Sequence, residues 1–369
     1  MIRCFNINTV RRLYHEKKIV IAIVGSFTII YLLFFNTFYI HPLRINSAGD
    51  NNSYINSYAN TIPRLLRVDN KLYYNYYNDY FKYGTYEINE FTTKRIYWEG
   101  PSISGDFLTL DNVVGDNINA VPYTETDLSE YTVSDGEKTD NIDPSIAGVI
   151  NGDPYYLSYD KSKLYKANVN NKTFELIISN DLVGCDRFDT PIFNDGNIYS
   201  VYSNNLKNAS VAEYAFEYSI TDRKVTNKLL IHKGDELSNG IKRYNCNIAV
   251  NGKVYGVASD VYNENPGYYY NDVYVGDFES NTSKMILHTT GTVILNSYDD
   301  KAFLSVNDGK DRGVYLIGRD DELTKIFSPD ENITGFYIVD DEYLYFIGED
   351  NNTLYRINQK GENLEKVFG

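Results

Sequence analysis

Residues 340–368 read DDEYLYFIGEDNNTLYRINQKGENLEKVF, and this stretch contains the unit from which most of the chain is built. An acidic pair precedes an aromatic strand, YLYFI, and polar turns then lead to two further strands, LYRIN and LEKVF. Asp, Asn and Gly adopt the backbone conformations that tight hairpin turns need. Aromatic and aliphatic residues between such turns favour short antiparallel strands.

The same unit recurs upstream. Its turn and following strand are repeated as DNKLYY (69–74), SGDFLTL (104–110, the weakest copy), NGDPYYLS (151–158), DGNIYSVY (195–202), NGKVYGVA (251–258) and DDKAFLSV (299–306). The repeated position is an aromatic or aliphatic residue and returns about every 45 residues, at Tyr73, Phe107, Tyr155, Tyr199, Tyr255, Phe303 and Leu344. Later strands such as LYKAN (164–168) and VYLIG (314–318) also recur.

Four strands per repeat of this length are typical of a propeller blade, whereas a β-sandwich needs about 100 residues without a shorter period. The sequence therefore predicts an all-β fold, a seven-bladed β-propeller of four-stranded antiparallel blades over residues 62–369. Each blade is read from the inner strand outward, starting near Pro63–Val68 and ending on an outer strand at Leu364–Phe368. We call this assignment of the first and last strands the strand phase. It predicts that the ring closes by packing of the last blade against the first, without a strand shared between the termini.

An apolar segment precedes the propeller. Residues 19–40, IVIAIVGSFTIIYLLFFNTFYI, carry no charge, and as a helix they would measure about 33 Å, enough to cross a bilayer. Basic residues before this segment indicate a cytoplasmic N-terminus. We therefore expect a basic cytoplasmic tail (1–18), a transmembrane signal anchor (19–40), a polar stalk (41–61) and an extracytoplasmic propeller on the cell membrane. The alternative, a cleaved signal peptide, would have a shorter apolar core and a closer small-x-small site than Ser47-Ala48-Gly49.

The charge balance limits the partners. The net charge is −15, although the N-terminal tail is basic, and so acidic a chain is not expected to bind nucleic acid. Three cysteines occur, without metal-binding spacing. We place Cys185 and Cys246 in connections between blades, where both a disulfide and two free thiols remain open.

The last unit, residues 340–368, resembles membrane-anchored bacterial β-propellers of clostridial type and unknown function. These are distantly similar to low-density-lipoprotein-receptor-like and TolB-type propellers. The resemblance covers nearly all of residues 62–369 and implies a fold and a location. Its motifs are structural, so it implies no catalytic residue. The chain lacks the α/β domain that precedes the propeller in TolB, and a TolB-like transport role is therefore not implied.

No motif for a metalloprotease, a serine hydrolase or a phosphate-binding loop is present in the sequence. The sequence therefore predicts no catalytic residue, no cofactor and no metal. His232 and His288 each follow an outermost strand, and we expect solvated rim positions for both. Acidic pairs such as Asp320-Asp321 are interpreted as turn residues.

Loop length suggests where a ligand binds. The long connections 75–84, 203–212 and 259–271 join second to third strands, and we call the face that carries them the long-loop face. Variable loops on a rigid scaffold commonly bind ligands, and Tyr suits stacking on sugars and peptides. The alternative is that these tyrosines only pack their own loops. The predicted ligand-binding residues are Tyr76, Tyr77, Tyr80, Trp98, Arg187, Asp189, Asp260, Tyr262, Tyr268, Tyr269 and Tyr270.

These features favour a non-enzymatic binding or sensing module that recognises an extracellular peptide, a glycan, a protein ligand or an envelope component. Two alternatives remain. One is a glycan-acting lyase or hydrolase with its site on the long-loop face. The other is a structural scaffold of an envelope complex.

Overall fold

The computed structural model describes the strands between residues 43 and 120, and then residues 128–369 apart from 137, 151–152, 169, 195, 206–210, 234–241, 261–269, 339 and 351–352. The expected cytoplasmic tail and the expected membrane-spanning segment 19–40 lie outside these residues. Within the described part, no helix is both long enough and apolar enough to cross a membrane.

Strands dominate the described residues, and they form seven sheets. We number the sheets by their place along the chain. Five of them are four-stranded and antiparallel, with the strands in chain order: sheet 1 contains β2 (Leu65–Val68), β3 (Lys71–Tyr76), β4 (Gly84–Ile88) and β5 (Thr93–Tyr97); sheet 4 contains β13 (Ile192–Asn194), β14 (Asn197–Asn205), β15 (Val211–Ser219) and β16 (Lys224–Lys233); sheet 5 contains β17 (Lys242–Val250), β18 (Lys253–Asp260), β19 (Asn271–Asp277) and β20 (Thr282–Thr289); sheet 6 contains β21 (Val293–Tyr298), β22 (Lys301–Val306), β23 (Gly313–Ile317) and β24 (Leu323–Phe327); and sheet 7 contains β25 (Gly335–Tyr337), β26 (Tyr343–Ile347), β27 (Leu354–Asn358) and β28 (Glu365–Phe368).

Sheets 2 and 3 depart from the predicted four-stranded pattern. Sheet 2 has three strands, because β1 from the expected stalk pairs with β7 of the weakest repeat. Sheet 3 has five, because β8 from that same repeat pairs in parallel with the outer strand β12. The strands of these sheets are β1 (Leu43–Asn46), β6 (Val113–Val114), β7 (Asn117–Ala120), β8 (Thr132–Val133), β9 (Ile142–Ile150), β10 (Asp153–Ser158), β11 (Lys163–Asn168) and β12 (Thr173–Ser179).

Helical structure in the described residues is short. Two 3₁₀ turns span Leu128–Glu130 and Thr139–Asn141, and one helical turn, α1, spans Asn180–Val183. Ser179 caps the start of α1 by accepting a hydrogen bond from the Leu182 N–H. Gly184 ends the helix in the left-handed conformation, at φ 76°. The helix therefore turns the chain from sheet 3 into sheet 4.

The turns confirm the local signals of the sequence. Asn251 and Gly252 both have positive φ, 51° and 70°, as a two-residue hairpin turn requires. The turns between third and fourth strands share a left-handed residue, at Lys172, Arg223, Asn281, Asp321 and Gly361. At Gly361 a Cβ atom would lie 2.1 Å from the Ile326 carbonyl oxygen. Only glycine fits this last turn.

Neighbouring sheets pack face to face through apolar clusters. Ile192, Val201 and Ala215 of sheet 4 meet Val254 and Ala258 of sheet 5. The sheets also share hydrogen bonds near their inner strands: the Asn296 side chain of sheet 6 donates to the Phe336 carbonyl of sheet 7 at 2.9 Å, and Asn194 of sheet 4 donates to the Ala249 carbonyl of sheet 5. Asparagine side chains on the first strands of sheets 4 and 6 therefore link these sheets to their neighbours.

The last sheet packs against the first. The Phe368 ring of β28 lies 5.2 Å from the Tyr74 ring of β3 and 4.6 Å from the Tyr86 ring of β4. Sheet 7 is completed by its own β28, and sheet 1 by its own β2. The predicted strand phase and the closure by packing are confirmed. The chain is an all-β protein with the architecture of a β-propeller.

Both described cysteines are free thiols. Cys185 is half-buried after α1, in a connection between sheets as predicted. Cys246 lies on β17, so its predicted place in a connection is wrong. The inner strand of sheet 5 begins earlier than the hydrophobic pattern indicates, because its first residues, Lys242 and Arg243, are polar.

Candidate functional site

A histidine and an aspartate face each other on the two outer strands of sheet 5. Asp272 of β19 is the cross-strand partner of His288 of β20. The His288 Nδ1 and Asp272 Oδ1 atoms are 2.5 Å apart. Asp272 is 4% exposed, whereas 52% of the His288 side chain is exposed. The pair therefore joins a buried carboxylate to an imidazole that solvent reaches.

This contact sets the roles of the two ring nitrogens. An ionised carboxylate only accepts hydrogen bonds, so Nδ1 of His288 carries the proton and donates it to Asp272. Nε2 then carries the lone pair, and it has no hydrogen-bond partner among the described residues. An imidazole oriented by a buried carboxylate is the arrangement that general bases use.

Tyr270 covers one face of the histidine. Its ring is stacked on the His288 ring, with centroids 4.7 Å apart and planes 12° apart. Stacking limits rotation of the imidazole and leaves its edge open. Tyr270 was a predicted binding residue, and the structure places it against the histidine.

Sheet 4 carries an equivalent acid–histidine pair. Glu213 near the start of β15 is the cross-strand partner of His232 near the end of β16. Glu213 is 1% exposed and accepts a hydrogen bond from the Ser203 hydroxyl at 2.6 Å. The His232 ring meets the Tyr274 ring of sheet 5 at 5.2 Å, edge to face. The histidine of this second pair therefore contacts sheet 5, which carries Asp272 and His288.

The two pairs lie in one interface. Successive strand residues alternate between faces, so Asp272 shares a face of β19 with Tyr274, which meets sheet 4. Glu213 shares a face of β15 with Ala215, which packs against sheet 5. We call these facing groups the polar layer; it contains Glu213, His232, Tyr244, Asp272, Tyr274 and His288.

Tyr244 is the innermost member of the polar layer. It is 2% exposed, its ring lies 6.4 Å from that of Tyr274, and among the described residues its hydroxyl has no hydrogen-bond partner. Burial raises the pKa of the Tyr244 hydroxyl well above its usual range, and Cys246 adds to the shift. The hydroxyl therefore stays protonated and can only donate or accept hydrogen bonds.

Within the described part of the chain, no group of three or more His, Cys, Asp or Glu residues is placed to hold a metal ion. The side chains of the polar layer are arranged as pairs across strands, which suits proton transfer better than coordination.

The other predicted binding residues are scattered or lie outside the described residues. Asp189 forms an ion pair with Lys161, in which Nζ and Oδ1 are 2.9 Å apart. Arg187, two residues before Asp189, is exposed. Asp260 lies at the end of β18, where the strand register places it opposite Lys242. Tyr76 lies at the end of β3, opposite Gly84. Outside the described residues are Tyr77, Tyr80, Trp98, Tyr262, Tyr268 and Tyr269.

Sequence reasoning missed the polar layer because it treated the two histidines as solvated residues beyond their strands. Both lie within their strands, one residue before the end. A signal was available: in two neighbouring repeats, an acidic residue near the start of the third strand is matched by a histidine near the end of the fourth. Strands are also longer than predicted: Ser203, the first residue of the predicted loop 203–212, pairs with Glu213 in the sheet.

Comparison with known proteins finds a distant likeness to several solved structures. No family model and no curated protein matches the chain. Among solved structures, one similar fold is that of an oligogalacturonate lyase in complex with manganese, which is 12% identical over 55% of this chain and 58% of that one, with a TM-score of 0.38. Another is the β-propeller domain of the Trilobed protease from Pyrococcus furiosus. It is 10% identical over 84% of this chain and 83% of that one, with a TM-score of 0.40. An acylaminoacyl peptidase from Pyrococcus horikoshii is also similar (9% identity, TM-score 0.42), and the match spans 87% of this chain but 47% of that one.

The comparison corrects one prediction. The similar structures are enzymes or parts of enzymes, and this finding overturns the preference for a non-enzymatic binding or sensing module. At these identities the likeness concerns the fold alone, and it assigns no catalytic residue to this chain.

Proposed function

We propose that this protein is an enzyme that cleaves a glycan on the long-loop face, a lyase or hydrolase with His288 as its general base. The observation that carries the proposal is the 2.5 Å contact between His288 Nδ1 and the buried Asp272 carboxylate. Asp272 acts as a positioning residue, because it holds the ring and stabilises the imidazolium that forms when Nε2 takes a proton.

Two versions of the reaction use the same base. In a lyase, Nε2 removes a carbon-bound proton, a carbon–carbon double bond forms and the glycosidic C–O bond breaks. In a hydrolase, Nε2 removes a proton from water, whose oxygen attacks the anomeric carbon as the glycosidic bond breaks. In both versions the leaving oxygen takes up a proton, and Glu213 on the facing sheet is the acid that we assign to this step.

Aromatic residues favour a glycan as substrate. Tyr270 already lies beside His288, and the segment 259–271 contributes Tyr262, Tyr268 and Tyr269. Tyrosine rings stack on sugar faces at a low entropic cost. In this proposal these residues form the sugar-binding surface next to the base.

The proposal extends to architecture and location. Sheet 2 serves as the second of seven blades, and residues 19–40 anchor the propeller on the outer side of the cell membrane. The uncharged apolar segment and the basic residues before it support this location. The substrate is then an extracellular or envelope glycan.

The test is to assay purified protein against a panel of glycan oligomers that includes oligogalacturonate, neutral glucans and peptidoglycan fragments. His288→Gln should lower kcat/KM on the cleaved substrate by about 10²–10⁴-fold without lowering Tm. Asp272→Asn should lower kcat and change the pH profile, because the neutral amide no longer stabilises the imidazolium and its NH₂ group can donate to Nδ1 and favour the wrong tautomer.

Tyr159→Ala is the control: Tyr159 is 62% exposed and follows β10 of sheet 3, outside the polar layer, so the activity of this variant should stay close to that of the unmodified protein. Full activity of His288→Gln would overturn the assignment of the base. Failure of the unmodified protein to cleave any member of the panel would overturn the glycan assignment.

A further inference from the structure

A cleft of about 220 Å³ lies between sheets 3 and 4, on the face opposite the polar layer. The residues around it belong to the turns between third and fourth strands and to the strand ends beside them. Strands alternate in direction, so these turns lie at the end of each sheet away from the long loops. The cleft is lined by Tyr155, Lys166, Glu175, Leu176, Ile177, Tyr218, Ile220 and Arg223.

The lining combines charge with an apolar wall. Tyr155, Lys166 and Glu175 form one row across three strands of sheet 3. Arg223 reaches this row from sheet 4, and its guanidinium lies 3.0 Å from the Glu175 carboxylate. The guanidinium of Arg223 and the ammonium of Lys166 thus both border the cleft, together with the Glu175 carboxylate.

Arg223 occupies the left-handed position of the turn between the third and fourth strands. Its φ is 52°, and the equivalent position holds Lys172 in sheet 3, Asn281 in sheet 5 and Asp321 in sheet 6. The turn therefore presents a different side chain in each sheet, and in sheet 4 it presents a guanidinium to the cleft.

The existing ion pair is easily exchanged. The side chains of Arg223 and Glu175 are 73% and 46% exposed, and exposed pairs of this kind contribute little to stability. A guanidinium binds a carboxylate through two parallel hydrogen bonds. A ligand carboxylate can therefore replace Glu175 as the partner of Arg223.

We infer that this cleft binds a small organic carboxylate, about the size of a monosaccharide or an amino acid. Arg223 takes the carboxylate, and the Tyr218 ring with Ile220 and Ile177 covers the body of the ligand. The volume lies below the ~300–1,000 Å³ of sites for drug-sized ligands, which restricts the ligand to this size. The site is separate from the polar layer and does not depend on the proposed glycan cleavage.

The test is calorimetric titration of the full chain with two matched pairs of probes. D-glucuronate is compared with D-glucose, and L-leucine with L-leucinamide, which lacks the carboxylate. The inference is supported if at least one acid binds more tightly than its carboxylate-free partner. Binding of glucuronate alone would identify the ligand class as a sugar acid, and binding of leucine alone would identify it as an amino acid. Equal binding within both pairs, or no binding of either acid, would overturn the inference.

Variants make the test specific. Arg223→Asn removes the charge and keeps a residue that tolerates the left-handed turn, so it should weaken binding by about tenfold or more while the protein stays folded. Glu175→Gln should strengthen binding several-fold, because it removes the competing carboxylate. A structural role for Glu175 would not produce that gain, and unchanged or weaker binding would count against the inference.

A matched ion pair outside the cleft is the control. Arg356 of sheet 7 pairs with Glu365 at 2.7 Å, and Arg356→Gln should leave carboxylate binding unchanged. If Arg356→Gln weakens binding as much as Arg223→Asn does, the effect is one of overall charge and the assigned site is wrong.

Discussion

Two interfaces between neighbouring sheets show different chemistry. Between sheets 6 and 7, Phe303, Phe336 and Phe346 pack with Leu344, as expected for a ring of sheets held by apolar contact. Between sheets 4 and 5, the apolar cluster ends in the polar layer, which contains Glu213 and Asp272 at 1% and 4% exposure. Burying a carboxylate is costly unless it is paired. Packing needs no such groups, so the second interface has been shaped by more than stability.

The apolar interface should respond most strongly to a loss of volume. Phe303→Ala removes a ring that is 1% exposed and should lower the free energy of unfolding by about 3–5 kcal/mol, measured by urea denaturation. Tyr159→Ala is the control, because Tyr159 is 62% exposed and should change stability by less than about 0.5 kcal/mol. Similar losses for the two variants would show that the interface between sheets 6 and 7 carries little of the stability.

Removing one hydroxyl sharpens the contrast between the interfaces. Tyr244→Phe should raise the free energy of unfolding by about 1 kcal/mol, because the buried hydroxyl that it removes has no hydrogen-bond partner among the described residues. Tyr345→Phe in sheet 7 should lower it by about 1 kcal/mol, because that hydroxyl donates to the Asp340 carboxylate at 3.0 Å. If thermal denaturation shows that Tyr244→Phe is destabilising, the hydroxyl has a partner that matters.

The thiols give the smallest effect and report on opening of the sheets. Burial raises the pKa of Cys185 from its usual 9.0 to about 11, with Lys228 opposing and Asp186 adding to the shift. At pH 8 the native thiol should therefore react with iodoacetamide about 100-fold more slowly than in urea. Cys246 lies between sheets 4 and 5, and burial raises its pKa further, so it should react only when those sheets separate.

The same shift fixes a pH dependence. The unfolded Cys185 thiol loses its proton near pH 9 and the folded one near pH 11, so the folded state binds more protons between these values. Its contribution to stability is complete below pH 9 and decreases as the pH rises to 11. Substitution of Cys185 by Ser should flatten this part of the stability profile. An unchanged slope would show that other groups cause it.

Local signals in the sequence were sufficient for much of the fold. The Asn251-Gly252 turn, the LYRIN strand and the repeated third strands all form where the pattern predicts. The described strands of the weakest repeat depart from the predicted pattern, since β7 pairs with β1 as well as with β6, and β8 pairs with β12 of the next sheet. Pro122 interrupts the strand pattern of this repeat, and the local pattern does not show which of its strands pair with one another.

The candidate site was predicted only in part. Tyr270 was assigned to the binding face and lies against His288, whereas the histidine itself was interpreted as a solvated residue. Arg187 and Asp189 are on the connection between sheets 3 and 4, where Asp189 forms an ion pair with Lys161. Loop composition located one face of the molecule, but it carried no information on which side chains meet there.

The sequence by itself determined the strands, the turns and their repetition, because alternation and turn chemistry act between residues a few positions apart. The tertiary structure alone decided the chemistry. Asp272 and His288 are 16 residues apart, and they meet only because a register shift between Val273 and Tyr274 sets their strand pairing. Glu213 reaches the same interface from another sheet, through packing that no local pattern encodes.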